Sequence, residues 1–194
     1  MVNVERAPFN LHPGHRASAF YSTFPWQTPG SATAVAATDT LYLYPFYMFR
    51  PATIVSLHLR IQTGGAGSAI KSGIWANSPV SHRPLGAPLV ADNTGQATTA
   101  STTTTAADIT DTPLAPGWYW AGSKATGTLP VMYSVPTSNL FCSAFMGFGT
   151  STAALVGSGI SIASTYADNL PTLAGGASFT NHTGGGIPVL IFGT

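Results

Sequence analysis

Residues Thr53–Trp75 read TIVSLHLRIQTGGAGSAIKSGIW, and the spacing of apolar side chains in them decides the fold class. Val55, Leu57, Leu59 and Ile61 point one way, and Ser56, His58 and Arg60 the other. Such a period of two marks a strand with one buried and one wet face. Gln62–Gly67 follows with three glycines, which take the positive φ angles of a chain reversal. The return run alternates again, with Ile70, Ser72 and Ile74 against Ala69, Lys71, Gly73 and Trp75. The stretch is therefore expected to be a β-hairpin, the spine of one all-β domain, and His58 is expected at its surface.

The remaining chain supports the same class. Thr40–Arg50 (TLYLYPFYMFR) is apolar on both alternating faces, as in a strand covered twice, with Pro45 predicting an edge position or a bulge. Residues 75–92, with Pro79, Pro84, Gly86 and Pro88, read as a long loop carrying His82 and Arg83 at its tip. The Thr/Ala-rich stretch 93–107 suits an edge or solvent-facing strand, because threonine is β-branched and polar. Asp108–Thr112 leads into a turn at Pro113–Gly117, and a strand then places Trp118 and Trp120 on one face and Tyr119 on the other. Further strands are expected at Leu129–Val135, Leu140–Phe148, Gly159–Thr165, Ala177–Thr180 and Ile187–Phe192, with a turn at residues 181–186. No helix of ordinary length is indicated, and short strands at this spacing describe a sandwich or barrel.

The first 39 residues have no period, four prolines and several aromatics, a composition unlike a disordered tail. They read as an extended arm lying on the sandwich of residues 40–194 or, by preference, on a neighbouring subunit. Phe9, Phe20, Phe24 and Trp26 are its candidate contact residues. Seven basic and six acidic residues among 194, with a net charge of +1, leave no electrostatic footprint for nucleic acid or anionic lipid. From Ala125 to the C-terminus the one formal charge is Asp168. Either Thr and Ser coat that surface or other subunits cover it, and the charge depletion of oligomer interfaces favours the second reading.

Chemistry-bearing patterns are sparse. Cys142 is the single cysteine, flanked by Leu140, Phe141, Ala144 and Phe145, and reads as a buried apolar residue. His12 and His15 lack partners at zinc-site spacing. Asp108 and Asp111 precede a turn, where aspartate bonds its own backbone, and are not a glycosidase pair. There is no Gly-x-Ser-x-Gly and no Gly-Lys dipeptide for a phosphate loop. No cofactor, metal or enzymatic activity is expected. No secretory signal or membrane-inserting segment is expected either, since residues 1–16 lack an apolar run and residues 125–167 are broken by glycine and proline. Trp75, Trp118 and Trp120 fit core filling or a platform for stacking a neutral sugar.

Residues 41–119 resemble a module of tailed-bacteriophage structural proteins. The resemblance rests on an ordered set: Tyr44-Pro45-Phe46-Tyr47 closing on Pro51, the alternating Ile54–Ile61, the Gly/Ala-rich Thr63–Ser68, Gly73-Ile74-Trp75, Pro84-Leu85-Gly86 and Leu114-Ala115-Pro116-Gly117-Trp118-Tyr119-Trp120. It implies an all-β, jelly-roll-like sandwich on a virion assembled in the host cytoplasm. That protein would be a non-enzymatic head decoration or short appendage, or a tail-fibre module. Its implied partners are further copies of itself as a homotrimer, major capsid or tail proteins, and for a tail fibre a host surface glycan.

Overall fold

The computed structural model describes residues 15–23, 32–135, 159–182 and 186–194. It is all-β: two antiparallel sheets pack face to face as a β-sandwich. Sheet A holds β1 (Phe20–Ser22), β2 (Ala32–Ala34), β4 (Ala52–Thr63), β7 (Thr103–Leu114), β9 (Val131–Tyr133) and β12 (Leu190–Gly193). Sheet B holds β3 (Thr40–Met48), β5 (Ala69–Asn77), β6 (Pro84–Ala97), β8 (Gly117–Thr126), β10 (Gly159–Ala163) and β11 (Thr180–His182). The expected Leu140–Phe148 strand and Cys142 lie outside the described residues.

The spine is not a hairpin. β4 pairs with β7, β9 and β12, whereas β5 pairs with β6 and β8, so residues 64–68 carry the chain from one sheet to the other. The glycines are needed for close approach more than for a reversal. A Cβ on Gly64 would sit 2.0 Å from the Thr99 carbonyl oxygen, and Gly67 has φ of 65°. The amide of Gly65 donates to the Thr98 carbonyl (3.1 Å) and Ser68 meets the Thr98 hydroxyl, which ties the crossing to the β6–β7 connection.

Alternation in β4 holds for Leu57, Leu59 and Ile61, which are buried against sheet B, and breaks at its start. The register against β7 slips between Ile54 and Ser56, so a bulge turns Ile54 inward and leaves Val55 half-buried. Across the core, β3 contributes Tyr44, Phe46 and Met48, and the Tyr44 hydroxyl accepts from the Leu190 amide of β12 (2.8 Å). Pro45 is not at a bulge, and among the described residues it is paired on the β8 side alone, a local edge of a strand that is central over residues 40–43. The missing amide of Pro45 thus falls beyond the ladder with β10.

Other expected boundaries shift. The long loop shrinks to residues 78–83, since β6 begins at Pro84, and Asp108–Thr112 lies within β7. The strand expected at Ala177–Thr180 is instead Thr180–His182. The described parts of the first 39 residues belong to the sandwich: β1 pairs with β12, β2 pairs with β9, and Tyr21 stacks on Phe192 at 5.8 Å. Of the two placements expected for the arm, these two short strands take the one on its own sandwich; Phe9, Phe24 and Trp26 lie outside the described residues.

The β5–β8 part of sheet B is covered on both faces, while Leu85 and Leu89 of β6 are exposed. Opposite the core, residues 164–173 run as a strap over Lys71, Gly73, Trp75, Trp120, Gly122 and Lys124, with Leu170 and Leu173 buried beneath it. Gly73 and Gly122 are direct cross-strand partners. Their missing side chains make the trough in which the Trp75 indole lies; a Cβ on Gly122 would come 3.0 Å from that ring and 2.9 Å from the Tyr42 carbonyl oxygen. Because the backbone oxygen cannot move aside, Gly122→Ala is expected to cost about 1–3 kcal/mol by overpacking, measurable as a lowered urea midpoint with an unchanged slope.

Candidate functional site

Two groups of side chains stand out once the sandwich is built. The first holds the strap. Lys124 is on β8 facing away from sheet A, and its Nζ donates to Ser164 Oγ (3.1 Å) and to the carbonyls of Thr165 (2.7 Å), Asp168 (3.0 Å) and Asn169 (3.0 Å). Its cross-strand partner Lys71 donates to the Asp168 carbonyl (3.0 Å) and lies 4.9 Å from the Tyr166 ring centroid. Burial pushes the Lys124 pKa below the ordinary lysine value and the Lys71 charge adds to this, with Asp168 and Asp39 opposing. Asp39 accepts from the Tyr166 amide (2.6 Å), Asn93 from the Leu170 amide (2.7 Å), and the Trp75 indole donates to the Pro171 carbonyl (3.1 Å). Every donor aimed at the strap finds a main-chain partner, so this is a structural latch.

The second group lies on the outer face of sheet A. Phe20 of β1 is 66% exposed, large for a phenylalanine, and its ring meets His58 edge-on at 4.6 Å. Phe20, His58, Ile191 and Thr104, from four strands, line a hollow of about 380 Å³ that is mainly apolar. His58 is not a surface residue as the alternation predicts. Phe20 covers it, and its Nε2 bonds Ser56 Oγ (2.8 Å). Burial lowers its pKa, partly offset by a hydrogen bond to the Thr105 backbone.

Of the arm residues expected to make contacts, Phe20 is at this hollow, while Phe9, Phe24 and Trp26 lie outside the described residues. Trp75 and Trp120 are sealed in the core under the strap, with the Trp120 indole donating to Asn77 Oδ1 (2.9 Å). A ring enclosed on both faces cannot stack on a sugar, so the platform expectation is corrected for these two. Trp118 is half-buried against Tyr47, ring centroids 5.0 Å apart. Among the described residues, no three His, Cys, Asp or Glu side chains gather as metal ligands, and no helix is long and apolar enough to cross a membrane. No family model, curated protein or solved structure matches this chain.

Sequence reasoning missed both lysines, which look like ordinary polar positions of alternating strands. The one available signal was that Lys71 and Lys124 each sit in phase with tryptophans, Trp75 and Trp120, so one face of sheet B could not be wet.

Two outcomes follow. Lys124→Met leaves its oxygen acceptors without their ammonium and should cost about 3 kcal/mol, with faster hydrogen exchange at the Tyr166 and Leu170 amides. For His58, the folded pKa lies below the ordinary value of about 6.5, so the unfolded chain takes up the proton first. Stability should be complete above that ordinary value and fall as pH drops through it towards the folded pKa. His58→Gln should flatten that dependence in denaturant titrations.

Proposed function

We propose that this protein is a non-enzymatic structural subunit of a bacteriophage virion, a capsid decoration protein or short appendage with a jelly-roll-like sandwich. It docks through the outer face of sheet A and the adjoining N-terminal segment. The observation that carries this reading is Phe20, exposed at 66% beside an apolar hollow on a face with few charges. Burying such a ring against a neighbour stabilises the contact by about 25 cal/mol for each Å² removed from water. The resemblance of residues 41–119 to phage structural modules supplies the virion context. The strap supports the same orientation, because it already covers β5 and β8 on the opposite side of the sandwich.

The mechanism is mechanical. Apolar area closed between subunits opposes the outward load of packaged DNA, and a charge-poor surface lowers the desolvation cost of closing it. Antibody labelling of purified particles tests the reading, with label expected on the virion. Added back to particles lacking the protein, the Phe20→Asp variant should bind at least about tenfold more weakly than wild type, as for a central apolar contact. Absence of the protein from purified virions overturns the proposal. So does host-glycan binding that Trp118→Ala abolishes, which would assign a receptor-binding module instead.

A further inference from the structure

The outer face of sheet A has an arrangement of charge and shape that selects its own partner. Strand register sorts its outward side chains into rows running across the strands. One row holds Phe20, Ser56 and Asp108, and the next holds Ile191, His58 and Ala106. A third holds Arg60 and Thr104. Asp108 and Arg60 are the charged side chains that the register places in these rows, and both are exposed. The face is therefore negative at one end and positive at the other. The middle is uncharged and contains the hollow beside Phe20.

We propose that this face pairs with the same face of a second copy about a two-fold axis that crosses β4 at His58, at right angles to the strand. That axis reverses the order of rows. Arg60 of each copy then comes over the other copy's Ser56, with Asp108 one strand spacing, about 4.8 Å, to the side in the plane of the sheet, and the two long side chains span the gap between the faces. An axis parallel to the strands would instead set Arg60 over Arg60 and carry Asp108 across to the Gly193 side of β4, away from any arginine, so charge favours the first arrangement. The chosen axis also brings both Phe20 rings down on the central hollow from opposite sides of His58. About 150 Å³ is enough for a benzene-sized group, and the hollow of about 380 Å³ has room for a phenyl ring. Such a contact is isologous, each residue pair occurring twice, so one modest ion pair counts double.

The inference rests on the reading of this protein as an assembling subunit and names the neighbour that sheet A meets. It specifies a two-fold pair where the phage resemblance implies a trimer.

The test is charge reversal followed by sedimentation equilibrium of the full chain over a micromolar to millimolar range. Wild type should dimerise. Arg60→Glu and Asp108→Arg, each alone, should weaken the dimer about tenfold or more, because each replaces two attractions by two repulsions. An equimolar mixture of the two single variants should recover wild-type affinity, because both contacts of the mixed dimer are again complementary. The double variant should also recover. A monomeric wild type across that range overturns the pairing, as does a mixture no tighter than its components. Virion labelling stands apart from this result. A labelled virion with a monomeric protein refutes the two-fold pair alone, and a dimer absent from virions refutes the virion reading alone.

Discussion

A lysine ammonium sealed inside a protein has to find a substitute for water, and Lys124 finds it in the Ser164 hydroxyl and the carbonyls of Thr165, Asp168 and Asn169. Those oxygens converge on one nitrogen because the strap curls around it, and the strap lies flat on sheet B because it curls. Lys71, Asp39, Asn93 and the Trp75 indole hold the same segment at other points. With the segment held, Leu170 and Leu173 close over Trp75 and Trp120, and the β5–β8 part of sheet B gains a second dry face. The strap's own amides are met in turn by Asp39 and Asn93, so the attachment draws on charge, hydrogen bonding and burial together.

That arrangement makes the molecule one-sided. The β5–β8 centre of sheet B is enclosed between sheet A and the strap, whereas the far face of sheet A carries an exposed Phe20, a hollow and few charges. The contrast is what gives the proposed docking its direction. It also accounts for a buried histidine on the outward side of β4, since Phe20 of β1 meets the His58 ring edge-on.

The class of fold was legible in the sequence because a period of two needs no knowledge of the partner strand, and the even apolarity of Leu41–Phe46 correctly marked a strand buried on both sides. What joined to what was not legible. A five-residue glycine-containing link serves equally for a hairpin or for a passage between sheets, and β4 and β5 alternate in the same way for either. The bulge at Ile54–Ser56 was hidden for a related reason, because an extra residue on one strand is defined by its neighbour β7. The prolines and aromatics of the first 39 residues indicated extended chain, and residues 20–22 and 32–34 are short strands. They could not show that Tyr21 would find Phe192, nearly the whole chain away. The roles of Lys71 and Lys124 were the least legible, since they depend on acceptors that the backbone supplies irrespective of residue type.

The route of the chain has one more consequence. From β3 to β5 and again from β6 to β9 it changes sheet at every step, so the two layers are stitched through each other. Neither layer is a contiguous piece of polypeptide, and no single cut yields a half that owns a finished sheet. Assembly must therefore wait for distant parts of the chain to meet, which slows folding. The finished sandwich is correspondingly hard to peel, because a pull on one layer is carried straight into the other.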